Sequence, residues 1–106
     1  MLFELRQYRV KPGQMDNWVK FMEVIIVPFQ TSKGMVIAGS FVGDDEHDLY
    51  VWIRRFEDEE DRKRLYEAVY ESDTWKNEIG PKIPDMLERE KTVVTRLWST
   101  PKSVIQ

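Results

Sequence analysis

The sequence predicts an α+β domain of the ferredoxin-like kind, ordered βαββαβ on an antiparallel sheet. Three features predict it. Both ends of the chain alternate in side-chain character with the period of a strand. A stripe at helical spacing follows the first strand, and two strand runs joined by a polar turn follow that stripe. A second helical region then leads to the last strand, as in a split βαβ with helices on one sheet face. At 106 residues the chain suits one domain, residues 1–106, without internal repeat, low-complexity segment or linker.

Leu2 to Val10 is the first strand, with Phe3 and Leu5 on one side and Glu4, Arg6 and Tyr8 on the other. Lys11-Pro12-Gly13 breaks it. From Gln14 to Thr31 the period is helical: Met15, Trp18, Val19, Met22, Ile25, Ile26 and Phe29 share one stripe. Pro28 is expected to kink this helix or cut its last turn, and Lys33-Gly34 to stop it. Met35 to Val42 is the second strand, weakened at Gly39, and Gly43 to Asp48 is a polar turn. Leu49 to Phe56, rich in β-branched and aromatic residues, is the third strand. Asp58 offers an N-cap, with Glu59, Glu60 and Asp61 in a first turn whose dipole favours anions. Arg62, Leu65, Tyr66 and Val69 form that helix's inner stripe, with Tyr70 on its flank. Ser72-Asp73 caps a turn through Trp75, and Pro81 opens a short helix with Ile83, Met86 and Leu87 inward. Thr92 to Trp98 is the last strand, and the tail from Ser99 to Gln106 is placed to dock on a neighbour.

Composition excludes several classes. A chain that is 42% hydrophobic and 33% charged is globular, not disordered. A net charge of −3 with scattered basic residues argues against nucleic acid. Lacking cysteine, the chain has no disulfide, thiolate metal site or cysteine nucleophile. Its glycines spell neither a dinucleotide fingerprint nor a phosphate loop, and no cofactor is expected. The N-terminus enters the first strand without a signal-like segment, and the longest apolar run, Val24 to Phe29, is broken at Pro28. A soluble cytoplasmic protein without a membrane partner is the expectation.

Both faces of the sheet read as apolar. The second strand carries Met35, Ile37 and Phe41 against Val36, Ala38 and Val42, and the third carries Leu49, Val51 and Ile53 against Tyr50, Trp52 and Phe56. Helices cover one face; leaving the other bare forgoes about 1.5–3 kcal/mol for each large apolar side chain. Pairing with a second copy removes that patch, so a homodimer is expected. The alternative is that the connection from Ser72 to Lys91 wraps over the second face.

The opening Phe3-Glu4-Leu5-Arg6-Gln7-Tyr8-Arg9-Val10-Lys11-Pro12-Gly13 resembles the start of the NIPSNAP domain. So do Leu49-Tyr50-Val51-Trp52-Ile53-Arg54-Arg55-Phe56, running into an acidic stretch and Arg62, and then Ser72-Asp73-Thr74-Trp75. The resemblance covers nearly the whole chain and implies a dimeric α/β barrel, two ferredoxin-like subunits with facing sheets. Relatives of that fold include cofactor-independent monooxygenases, haem-degrading enzymes and muconolactone isomerase-like proteins. NIPSNAP members have no generally assigned reaction. The mitochondrial roles of the eukaryotic ones do not carry over to what looks like a stand-alone bacterial member. Fold alone does not confer function.

The sharpest site is the face holding Arg6 and Tyr8 on the first strand and Tyr50, Trp52 and Arg54 on the third, central neighbours in a ferredoxin-like sheet. Guanidinium forks beside aromatic walls suit a small planar ligand with a carboxylate or carbonyl group. Tyr8 is placed to donate to a developing oxyanion whose charge Arg54 would stabilise. The competing reading pairs these arginines with Glu4 and other carboxylates across the dimer interface and leaves the aromatics as core; Tyr66 and Tyr70 are candidates to border the pocket, although their helical spacing favours core. His47, the only histidine, lies among Asp44, Asp45, Glu46 and Asp48. Without EF-hand spacing or a second ligand cluster this is a charged turn, and no metal site is expected. Two functions survive. One is a barrel pocket for a small aromatic, oxo or carboxylate ligand, with room for cofactor-independent monooxygenase or isomerase chemistry. The other is a non-catalytic dimeric interaction module.

Overall fold

The computed structural model describes residues 1–106. Its strands are β1 (Leu2–Arg9), β2 (Val36–Val42), β3 (Leu49–Phe56) and β4 (Val93–Trp98). They form one antiparallel sheet in the order β2-β3-β1-β4. This is the predicted ferredoxin-like α+β fold. Helices α1 (Met15–Phe21) and α2 (Val27–Ser32) precede β2, and α3 (Glu59–Tyr70) follows β3. A π turn (Trp75–Ile79) and two 3₁₀ segments (Gly80–Asp85 and Arg89–Lys91) complete the connection to β4. No helix is long and apolar enough to cross a membrane.

Alternation along the two central strands sets the faces. Tyr50, Trp52, Arg54 and Phe56 of β3 are buried beneath the helices, while Leu49, Val51, Ile53 and Arg55 are only half-buried. On β1, Leu2, Glu4, Arg6 and Tyr8 share the helix-covered face. Two apolar clusters cover the ends of that face. One gathers Tyr8, Val10, Trp18, Met22, Ile26, Tyr50, Trp52, Ile79, Ile83 and Leu87. The other holds Leu2, Met35, Phe56, Leu65 and Val69. Glu4 and Arg54 face each other between them.

Two local features differ from the sequence expectation. Pro28 does not cut the first helix, which runs on to Ser32. Instead the turn Met22–Ile26 is a π-helix, with the Val27 N–H bonded to the Met22 carbonyl. Proline cannot donate to the carbonyl four residues back and its ring crowds it; a wider turn relieves both problems. The π turn holds one extra residue, so the buried stripe advances by one. Ile26 and Gln30 are buried, and Ile25 turns to solvent. The second difference is a bulge in β2. Register against β3 shifts between Ile37 and Gly39, so Ser40 pairs with Trp52 and Phe41 with Val51. Phe41 therefore joins the open face and not the helix-covered one. Its ring lies across Gly39, where an added Cβ would meet it at 2.8 Å.

The open face carries Leu5, Gln7, Val51, Ile53, Val36, Phe41, Val93 and Leu97, of which the last four are exposed. The connection from Ser72 to Lys91 packs on the helix side through Ile79, Ile83 and Leu87 and leaves this face uncovered. Only the tail reaches it. Arg55 Nη1 donates to the Gln106 carbonyl at 3.0 Å, and Ile105 lines a shallow groove with Phe3, Ile53 and Leu97.

Asp58 caps α3, its side chain accepting from the Asp61 N–H at 2.8 Å, while Asp61 accepts from the Glu57 N–H at 3.0 Å. Asp58→Ala should lower stability by about 1 kcal/mol, read as a lower urea midpoint at unchanged slope. An unmoved midpoint would show that the cap contributes nothing.

Candidate functional site

Strand pairing sets Glu4 opposite Arg54, Arg6 opposite Trp52 and Tyr8 opposite Tyr50, all beneath the helices. The Arg54 side chain is wholly buried. Its Nη1 donates to Gln30 Oε1 at 2.9 Å and Tyr70 Oη at 2.7 Å, and its Nη2 to Glu4 Oε1 at 2.5 Å and Tyr66 Oη at 2.8 Å. The Trp52 and Tyr66 rings lie 4.7 and 5.1 Å from the guanidinium carbon. Glu4 also receives Arg6 Nη1 at 3.2 Å, Arg62 Nε at 3.1 Å and the Tyr66 hydroxyl at 2.5 Å. Burial alone would raise the Glu4 carboxyl. The charge of Arg54, hydrogen bonds from Tyr66 and Arg54, and the charge of Arg6 outweigh it and hold the group at about 2.

Beside this cluster, between sheet and helices, lies a cavity of about 380 Å³. Trp18, Trp52, Trp75, Tyr66 and Tyr70 give it aromatic walls, and Ile26, Ile83 and Leu87 aliphatic ones. Its remaining lining is Arg6, Tyr8, Arg89 and Thr92. The polar groups are donors with protons to spare. The Trp18 and Trp52 indole N–H groups are buried without an acceptor. Tyr8 Oη accepts from Arg6 Nε at 2.8 Å, and Tyr70 Oη accepts from Arg54, so neither hydroxyl spends its own proton on these bonds. Burial, only partly offset by Arg6, pushes the Tyr8 phenol up and keeps it protonated. Tyr66, raised chiefly by burial to about 12, spends its proton on Glu4.

Of the residues singled out in the sequence, Arg6, Tyr8 and Trp52 line this cavity. Arg54 and Tyr50 do not. Arg54 stands behind the wall in the polar cluster, and Tyr50 packs on Tyr8 and Trp18 at 6.3 and 6.0 Å between ring centroids. The arginines pair with Glu4 within the chain. Tyr66 and Tyr70, weighed as pocket neighbours or core, both line the cavity, whereas Trp18 and Arg89 were not singled out as site residues in the sequence. Trp18 and Tyr70 sat on stripes that also read as core, and Arg89 lies in an irregular connection where periodicity carries no signal.

The turn holding His47 is occupied by its own chemistry: Arg9 pairs with Glu46 and Asp48, each at 2.9 Å. No group of three metal-ligating side chains is assembled anywhere in the chain. A broader surface cleft of about 590 Å³ touches His47, Lys11 and Lys91, but only two of its ten lining residues are hydrophobic. Ligand sites are mainly apolar with a few convergent polar groups, which favours the smaller aromatic cavity.

Comparison with known proteins agrees with the fold. The NIPSNAP family profile matches residues 3–101, almost the whole chain. The chain belongs to the NIPSNAP family. Among solved structures, this NIPSNAP chain is similar to Atu4242 from Agrobacterium tumefaciens, with 23% identity, full coverage of both chains and a TM-score of 0.89. It is similar to Atu5224, a NIPSNAP family protein of the same organism, at 20% identity over 99% of this chain and 98% of that one, with a TM-score of 0.87. An antibiotic biosynthesis monooxygenase shares the fold at 17% identity over 95% of this chain and all of its own, with a TM-score of 0.68. Among curated proteins none matches the sequence.

The Glu4 carboxyl yields a pH test. Its folded value of about 2 lies below its ordinary 4.5, so the stability it contributes is whole above pH 4.5 and is lost as pH falls towards 2. The amount is on the order of 3 kcal/mol. Urea unfolding of Glu4→Gln should start from lower stability at pH 7 and fall less steeply than the parent between pH 4.5 and 2. Parallel curves would remove Glu4 from the acid response.

Proposed function

We propose that this NIPSNAP protein binds a small planar aromatic or oxo compound in the cavity between sheet and helices. The observation that carries the reading is an aromatic-walled cavity to which Arg6 brings a charge and Tyr8 and Tyr70 bring hydroxyls whose protons are not spent on their arginine bonds. The cavity volume falls within the range of roughly 300–1,000 Å³ common for small-molecule sites. Tyr8 and Arg6 would polarise the ligand oxygen, Tyr8 as proton or hydrogen-bond donor and Arg6 as the charge beside it. Oxygenation of the bound compound is compatible with this site; the fold shared with an antibiotic biosynthesis monooxygenase is an analogy of fold alone. Isomerisation is less well served, because no aspartate, glutamate or histidine lines the cavity to act as base.

The open sheet face supports a second, compatible reading: assembly with another copy. It is a mainly uncharged apolar surface on the side of the sheet away from the cavity, and such a self-complementary patch suits a two-fold dimer. Binding and assembly therefore occupy different faces.

Calorimetric titration with 2-naphthoate, a two-ring planar probe, tests the site. One saturable site per chain is expected. Ile83→Trp, which fills the cavity without touching the polar cluster, should weaken binding about tenfold or more. Equal affinity in that variant would place the site elsewhere. For assembly, light scattering should give twice the chain mass, and Phe41→Glu with Leu97→Glu should give one chain mass at unchanged circular dichroism. A parent protein already at one chain mass would refute the dimer.

A further inference from the structure

Resting on the reading that the cavity holds a ligand, we propose that the ligand is a small aromatic anion and that Arg89 sets this charge requirement. The chain as a whole is acidic, with 19 carboxylate side chains against 16 basic ones. None of those carboxylates lines the cavity, whereas Arg6 and Arg89 do. The bias is local and runs against the composition.

The polar cluster behind the wall is short of negative charge. Arg6, Arg54 and Arg62 all converge on the single carboxylate of Glu4. The next acid, Glu59, is shared between Arg62 and Arg96. Arg54 and Glu4 are both wholly buried, so the surplus positive charge sits on the partly exposed arginines, of which Arg6 lines the cavity. An anion seated beside Arg6 supplies the missing charge; a neutral ligand does not.

Arg89 adds a second cation from a different element. Its backbone is held in place: the Glu88 N–H donates to the Arg9 carbonyl at 2.9 Å, the Lys91 N–H to the Glu88 carbonyl at 3.0 Å and the Thr92 N–H to the Arg89 carbonyl at 3.1 Å. The Arg89 side chain itself makes no ion pair and no hydrogen bond, and it is exposed where it lines the cavity. A carboxylate accepts at about four lone-pair sites, enough for both arginines and the spare protons of Tyr8 and Tyr70. Aromatic walls alone would equally suit a cation. The arginines and the absent carboxylate decide against it.

The test is a calorimetric series on one ring system: 2-naphthoate, 2-naphthamide and 2-naphthylmethylamine, carrying negative, zero and positive charge. Naphthoate should bind about tenfold or more tightly than naphthamide, and the amine weakest of all. Arg89→Gln, at an exposed unpaired side chain, should weaken naphthoate about five- to tenfold and leave naphthamide unchanged. Equal binding of all three compounds overturns the charge requirement and leaves the cavity reading standing. Arg89→Gln weakening naphthoate and naphthamide alike overturns the role of Arg89. Absence of binding by all three removes the cavity reading and this inference with it.

Discussion

The buried contact between Arg54 and Glu4 constrains most of what surrounds it. Two charged groups taken out of water are expensive, and their attraction offsets the cost only when the remaining donors and lone pairs are satisfied. Here the partners come from every layer. Gln30 arrives from α2, Tyr66 and Tyr70 from α3, and Arg6 from β1, the strand that carries Glu4 itself. Aromatic faces of Trp52 and Tyr66 flank the guanidinium and take up part of its charge. Only Arg54 Nε is left unpaired. Both helices are thus tied to the sheet through one polar group, between two apolar clusters that carry no such directionality.

That arrangement divides the sheet into two surfaces with different demands. On the helix side the clusters fill the ends, and the cavity opens beside the polar band. On the other side alternation presents Leu5, Val51, Ile53 and Leu97, and the β2 bulge adds Phe41. A strand with ideal alternation would have turned Phe41 inward. The extra residue at the bulge moves it outward and enlarges the bare apolar area. The tail covers one corner through Ile105 and the contact of Gln106 with Arg55, far less than the whole face.

Much of this was legible in the sequence, for physical reasons that also mark where legibility ended. Strong alternation on β1 and β3 predicted both strands, and the neighbouring placement of Arg6, Tyr8 and Trp52 followed from it. The Asp58 cap and the inward stripe of α3 were readable because they depend on local chemistry and spacing. What failed depended on single inserted residues. Pro28 marked a disturbance, but whether a helix kinks, stops or widens depends on its tertiary contacts, so the burial of Gln30 could not be anticipated. The β2 bulge likewise has no signature stronger than Gly39. The cavity was the least visible feature. Trp18 and Tyr70 obey the same periodicity whether they fill space or line it, and Arg89 lies outside any periodic element.

The cavity's chemistry follows from the cluster more than from its own lining. Glu4 orients Arg6 through Nη1, which leaves Arg6 Nε to donate to the Tyr8 oxygen. With that lone pair engaged, Tyr8 is left with a proton to give. Burial raises its phenol and prevents it from serving as a base near neutral pH. Tyr70 is fixed in the same sense by Arg54. A site organised this way hands out hydrogen bonds and accepts few, so any reaction in it must begin from a ligand that brings its own electrons. The carboxylate that stabilises the fold is thereby the group that polarises the cavity, although it never touches the space where a ligand would sit.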